Sequence, residues 1–457
     1  MRILLISTYE LGHQPFGLAS PAAWLAERGH EVACQDLCVE SLDADTVREA
    51  ALVAFYLPMH TATRLAAKVI EKVRKLNPAA HLCCYGLYAP LNESYLRSLG
   101  AGTILGGEFE PGLVSLAVRL VAGSTGAAQL EPLISLDRLK FQVPLRSVLP
   151  PIEKYGGLRI GGTSKRVGYT EASRGCKHLC RHCPVVPVYQ GSFRVVQPEV
   201  VLADIRQQVA AGAEHITFGD PDFFNGPTHA MRIADALHQE CPKLTYDATI
   251  KIEHLLKHRE LLPRLRETGC LFVTSAVESM DDAVLAKLDK GHTRADFIEV
   301  AHEFRSVGLA LAPTFIPFTP WTTRDQYREM LALLVELDLV EHVAPVQLAL
   351  RLLIPRGSRL IELSDIQAVI REREFDEAAL LYRWRHPDPD IDALAEQALR
   401  IAASHGSRRE VFGYLWNLVN DHPLPDNVDP SPHAAIPYLE EPWFCCAEPT
   451  EEQIARV

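Results

Sequence analysis

The chain has 457 residues, 47% of them hydrophobic and 23% charged, a globular composition that at ~100–200 residues per domain allows two to four domains. No apolar run approaches the ~18 residues of a membrane span, and the opening MRILLIS is too short for a signal peptide, so the expectation is a cytoplasmic protein with no membrane partner. Lys+Arg 46 against Asp+Glu 58 leaves a net charge of −12, which disfavours nucleic acid as a partner.

In chain order, residues 1–121 alternate strand and helix, with strands predicted at 2–7, 31–35, 51–56, 81–85 and 103–105. Helices are expected over 21–29 and from 57 to 75. This pattern is an α/β, doubly wound, Rossmann-like sheet, whose ligand crevice lies beyond the strand ends at 9–13, 58–60 and 86–89. Residues 122–166, with Pro132, Pro144, Pro150, Pro151 and paired glycines, read as a linker containing a hairpin; its glycines are turn residues and not a phosphate cradle.

A second alternating region covers 167–356. Strands are predicted at 167–171, 215–219, 244–248, 271–276, 310–316 and 345–350, separated by helices at 198–211, 228–239, 253–266, 281–288, 294–307 and 323–337. Six such units build a partial (β/α)6 barrel with its site at the carboxyl ends of the strands. Residues 357–421 read as a helical region. Residues 422–457 form a Pro-rich tail that contains Cys445-Cys446-Ala447-Glu448-Pro449.

Eleven cysteines, an odd number at low density, are ligands, nucleophiles or buried apolar residues and not a disulfide framework. The sharpest group is Cys176-Lys177-His178-Leu179-Cys180-Arg181-His182-Cys183. Three thiolates on one loop can hold three irons of a [4Fe–4S] cluster and leave the fourth open; a zinc site completed by His178 or His182 is the alternative. The adjacent thiols of Cys445 and Cys446 suit a soft, thiophilic species. Cys34, Cys38, Cys83 and Cys84 are expected to be buried apolar residues. Cys241 and Cys270 are expected to be structural, with a third thiolate as the other option. His254 and His258 share a helical face without a carboxylate to complete a metal set, which makes them surface residues. His13 and His60 are expected to be polar loop residues at the crevice.

The C-x3-C-x2-C spacing at Cys176, Cys180 and Cys183, at the end of the first barrel strand, resembles the hallmark of the radical S-adenosylmethionine (SAM) superfamily. The resemblance spans 167–355. It implies a [4Fe–4S] cluster on those three cysteines, SAM on the open iron, and an external electron donor such as flavodoxin or ferredoxin. It also implies cofactor-binding roles for His182, for Phe218, Gly219 and Asp220, and for Thr274, Ser275 and Glu278. The triplet departs from the family's Gly-Gly-Glu, so backbone contacts from Phe218 and Gly219 are favoured over the Asp220 carboxylate. Leu288-Asp289-Lys290-Gly291-His292-Thr293 is similar to the family's sequel.

The first 120 residues resemble the cobalamin-binding domain that precedes many radical SAM domains, through Leu57-Pro58-Met59-His60-Thr61 and Gly106-Gly107-Glu108. The D-x-H-x-x-G motif is absent, and both bound cobalamin and a cofactor-free domain stay open. The tail resembles that of radical SAM proteins ending in CCAEP or its selenocysteine form, and within them the enzymes that begin arsinothricin biosynthesis. That resemblance implies arsenite as a small-molecule substrate held by catalytic Cys445 and Cys446, with Glu448 orienting or deprotonating them. SAM's 3-amino-3-carboxypropyl group would be transferred to the arsenic, forming hydroxyarsinothricin. The alternative is a cobalamin-dependent methyltransferase acting on a small metabolite. A metal- or arsenic-sequestering protein and a tRNA-modifying enzyme rank below both.

Overall fold

The structure, a computed structural model, describes residues 1–123, 131–404, 406–425, 437–440 and 448–456. Cys445 and Cys446 lie outside the described residues. In the N-terminal domain, β1 (Arg2–Ser7), β2 (Glu31–Asp36), β3 (Leu52–Tyr56), β4 (His81–Tyr85), β5 (Thr103–Gly107) and β6 (Ile134–Ser135) form a parallel sheet in the order β2-β1-β3-β4-β5-β6. Both faces are covered, which is why the central strands carry continuous apolar runs, Ile3 to Ile6 in β1 and Leu52 to Phe55 in β3. Leu4, Ile6, Val53 and Phe55 pack with the helix His60–Leu76; Ile3, Leu5 and Leu52 pack with the helix Phe16–Glu27 on the other side.

That second helix starts before the predicted 21, and Pro21 lies inside it. The carbonyl of Gly17, left without a backbone donor by the proline, accepts the Tyr85 hydroxyl at 2.8 Å. Because β1 is flanked by β2 and β3, the direction of winding reverses there, and the ligand crevice opens at that point.

The linker does contain a hairpin, formed by β7 (Gly157–Ile160) and β8 (Thr163–Thr170). Gly161 and Gly162, at φ +53° and +83°, make its two-residue turn. The short pair β9 (Ser173–Gly175) and β10 (Phe193–Val195) follows. Then β11 (His215–Phe218), β12 (Thr245–Thr249), β13 (Cys270–Glu278) and β14 (Ala310–Phe315) extend β8 as a curled parallel sheet. Two of the interleaved helices, Arg294–Val307 and Arg324–Glu336, start with reciprocal capping boxes, Thr293 with Asp296 and Thr323 with Gln326. No helix among the described residues is long and apolar enough to cross a membrane.

Three expectations need correction. Residues 345–350 are not a strand: Pro345–Leu348 is a 3₁₀ turn, and a single bridge, Phe318 to Arg351, continues the sheet. Pro345 has no N–H to give a ladder, and the Gln347 side chain, not its backbone, accepts the Phe315 N–H at 3.3 Å. The helix expected over 253–266 is broken into Ile252–Lys257 and Leu262–Glu267, the latter starting with Pro263 in its first turn. The region after 357 is not wholly helical. A hairpin of β15 (Ile370–Asp376) and β16 (Leu381–Trp384), pinned by the Phe375–Tyr382 ring contact at 5.1 Å, precedes the helices Pro389–Ala402 and Arg408–Val419. Within the tail, β17 (Tyr438–Leu439) pairs antiparallel with β7.

Candidate active site

β9 delivers the chain to the cysteine loop through Gly175, at φ +74°. A Cβ there would come within 2.3 Å of the Tyr189 ring, so the tight entry requires glycine. Asn225 fixes the start of the loop: its Oδ1 accepts the Lys177 N–H at 3.3 Å and lies 3.7 Å from Cys176 Sγ. The far side is held by Arg181, which donates to the carbonyls of Ala286, Lys287 and Leu288. Cys180 is buried, and Cys176 and Cys183 are half-buried.

Burial raises the Cys183 thiol strongly, and the neighbouring Cys180 and Cys176 raise it further; Cys176 is raised by burial and by Cys180. The three thiols lie on one loop of eight residues, where a metal cluster would remove their protons. Cys270, buried at the amino end of β13, donates to the Phe272 carbonyl, and Cys241 precedes β12. Both lie at the amino ends of their strands, at the end of the barrel opposite the cysteine loop. The donor set fits a three-cysteine [4Fe–4S] cluster.

The residues expected to bind SAM separate into two kinds. His182 and Glu278 meet, with Nε2 and Oε1 3.1 Å apart, and Lys290 Nζ reaches the same Oε1 at 3.1 Å. Burial works to raise the Glu278 carboxyl, but Lys290 and His182 outweigh it and hold it at about 2. Lys290 is buried, and its charge also reaches Cys180 and Cys183. Glu278 adopts φ +70° where the β13–β14 register shifts, so a bulge aims it at the cluster loop.

The others are positioned differently. Phe218 packs its ring against Phe223 and Tyr246, leaving only its backbone for a ligand. A Cβ on Gly219 would fall 1.9 Å from the Tyr169 hydroxyl. The Asp220 carboxylate is turned away: it accepts the Ala172 N–H at 2.9 Å and the Ser173 hydroxyl at 2.5 Å, and so positions the approach to the loop. Ser275 is buried and donates to the Ile250 carbonyl at 2.7 Å; Thr274 is half-buried beside it.

Burial pushes the Asp220 carboxyl up to about 7, against the lowering effect of Ser173 and Ala172. A raised pKa in the fold means stability that is present in acid and lost as pH rises through about 7. An asparagine accepts the Ala172 N–H through its amide oxygen and donates its N–H to the Ser173 hydroxyl, which turns to accept, with no charge. Asp220→Asn is therefore expected to flatten the fall in unfolding free energy between pH 5 and 8 by on the order of 2 kcal/mol, measured by denaturant titration as the difference from wild type. Parallel curves would show that Asp220 ionises freely.

Two histidine expectations fail. His254 is buried at 1% exposure, not on the surface, and Asp222 brings a carboxylate within 2.6 Å of its Nδ1; His258 is half-buried. His13 and His60 are buried as well. His13 stacks on Tyr169 at 5.0 Å, and burial depresses it to about 4, so it is neutral at neutral pH. His60, at the amino end of its helix, lies 3.3 Å from Glu448, which also accepts from Arg64 at 2.6 Å. Glu448 is thus anchored on the N-terminal domain, against whose core Ile454 packs. Cys83 and Cys84 are buried as expected, while Cys34 and Cys38 are half-buried.

The crevice faces the cluster loop across a buried ion network. Arg174, two residues before Cys176, binds Glu110 at 2.7 Å and Glu108 at 3.3 Å from the N-terminal domain, and Glu171 at 2.6 Å from its own. Residues 170–334 match the Radical SAM superfamily model. The chain carries a radical SAM domain. That family uses a [4Fe–4S] cluster and SAM, as the three-thiol loop of this radical SAM domain leads one to expect.

Among characterised relatives, hopanoid C-3 methylase of Methylococcus capsulatus is 26% identical over 67% of this chain and 62% of its own length. A tRNA-2-methylthio-N(6)-dimethylallyladenosine synthase of Desulfosudis oleivorans is 28% identical over 42% of this chain and 41% of its own. The alignments therefore span less than two thirds of these relatives. Two solved structures share the fold across both domains. The cobalamin-dependent SAM radical enzyme OxsB, with aqua-cobalamin and SAM bound, superposes with TM-score 0.71 at 14% identity, covering 87% of this chain and 66% of its own. The radical SAM methyltransferase TsrM from Kitasatospora setae gives TM-score 0.67 at 16% identity, covering 88% and 89%.

Proposed function

We propose that this chain is a radical SAM alkyl transferase acting on a small molecule, and that it moves the 3-amino-3-carboxypropyl group of SAM to thiolate-held trivalent arsenic. The observation that carries the reading is the contact of Glu448 with His60 and Arg64, which ties the motif's end to the carboxyl end of β3, beside the crevice. Cys446 is two residues earlier, and an extended chain of two residues spans at most ~7 Å. Cys176, Cys180 and Cys183 would hold the cluster, which when bound supplies the single electron that breaks a SAM carbon–sulfur bond. His182, Glu278 and Lys290 would orient SAM beside it. Summed over the reaction, sulfur keeps the bonding pair and leaves as methylthioadenosine. Arsenic gives its lone pair to the new carbon–arsenic bond, passes from the trivalent to the pentavalent state and releases one hydroxyl proton. The sum is redox-neutral.

A second reading is cobalamin-dependent methyl transfer to a small metabolite, supported by the two-domain fold shared with OxsB and TsrM and by the likeness to hopanoid C-3 methylase. Anaerobic turnover of the reconstituted protein with SAM, with and without arsenite, separates the two by nucleoside product. The first reading expects methylthioadenosine and an arsenic-containing amino acid. The second expects S-adenosylhomocysteine and 5′-deoxyadenosine. Cys445→Ser and Cys446→Ser should each lower arsenic alkylation at least tenfold while cluster content stays constant; alkylation at the wild-type rate in both would end the arsenic assignment.

A further inference from the structure

We infer that His178, His254 and Asp222 form a binding site for one divalent first-row transition ion, separate from the cysteine cluster. His178 is in the cysteine loop, between Cys176 and Cys180. His254 belongs to the helix Ile252–Lys257, and Asp222 to the turn after β11. One ligand atom from each lies within 4.8 Å of the other two. His178 Nε2 is 3.1 Å from His254 Nε2 and 3.8 Å from Asp222 Oδ2, and His254 Nδ1 is 2.6 Å from the same oxygen.

Hydrogen bonding alone leaves this group unsatisfied. A shared proton would account for the two imidazoles. Yet Asp222 Oδ2 and His254 Nδ1, despite their proximity, are misaligned for a hydrogen bond, and both are buried without a partner. Asp222 has 0% exposure, and its other oxygen is already used, accepting the Phe224 N–H at 3.0 Å. A bare carboxylate oxygen facing an imidazole in a dry site is costly, whereas a cation satisfies both. Two imidazole nitrogens and one carboxylate are the donor set of open three-ligand sites for zinc or iron(II). Glu253 Oε2, 3.6 Å from His178 Nδ1, stands where an outer carboxylate orients a ligating histidine. The ion would join the cysteine loop to two other elements of the barrel.

The test uses zinc as the probe on the full-length chain with Cys176, Cys180 and Cys183 all replaced by serine, so that the cluster thiols cannot take the metal. About one equivalent of Zn2+ should survive gel filtration, and Asp222→Asn or His254→Gln in that background should weaken its retention at least tenfold. Zinc K-edge absorption should show a nitrogen and oxygen shell with imidazole scattering. Wild-type protein with its cluster assembled should carry the same zinc with the same spectrum, which covers a triple variant that fails to fold. No retained zinc in the folded protein, a sulfur in the shell, or full retention in the Asp222 and His254 variants would overturn the site.

Discussion

Replacing any one of Cys176, Cys180 or Cys183 with alanine is expected to abolish both cluster assembly and SAM cleavage. The expectation rests on ligand count: the loop offers three thiols, and Cys241 and Cys270 sit at the far end of the barrel, too distant to substitute. A lost ligand would leave two thiols to hold the cluster, and burial raises the Cys176 and Cys183 thiols, so their thiolates depend on the metal. Iron and sulfide analysis after anaerobic reconstitution, together with the visible absorption of the cluster, reads the outcome. His182→Ala is the contrasting variant: it should keep the cluster and weaken SAM binding, because its imidazole meets Glu278. Full cluster content in any single cysteine variant would show that another residue completes the set.

The fold was legible to the extent that its signals were local. Five strands of the first domain and five of the barrel follow from apolar runs bounded by turn residues, and the cysteine loop from spacing on eight consecutive residues. Failures came where partners lie far apart in sequence. His254 reads as a surface residue because its carboxylate, Asp222, arrives from the preceding β/α unit. Lys290 sits in a segment whose family likeness was visible, yet its pairing with Glu278 depends on the bulge in β13. The pairing of Glu448 with His60 and Arg64 joins nearly opposite ends of the chain, and no periodicity announces it. Residues 345–350 were misread for a different reason: an apolar run counted for more than a proline that cannot give a ladder bond.

Arg174→Met should destabilise the whole protein more than any other single substitution outside the cysteine loop. The guanidinium is the cationic partner of Glu108 and Glu110, both fully buried, and of half-buried Glu171, and three aromatic rings (Phe16, Phe109 and Phe141) lie 5.0–5.7 Å from it. Methionine fills much of the volume but leaves the carboxylates without a cation, a change that costs about 3–5 kcal/mol for a buried pair. Burial already pushes Glu108 up to about 7 despite Arg174 beside it, and Glu171 is raised as well. Without the arginine both rise further, so the variant can relieve itself only by taking up protons. Raised carboxyl pKa values mean stability lost as pH climbs, so the deficit should be smallest near pH 5 and largest near pH 8. At pH 8 the melting temperature should fall on the order of 10 °C. Because Glu108 and Glu110 come from one domain and Arg174 from the other, the loss should also split the melt into two transitions. Arg174→Lys keeps the charge but not the planar fork, and should recover only part of the loss. A variant that melts as one transition at the wild-type temperature across this pH range would mean that the network contributes nothing to joining the domains.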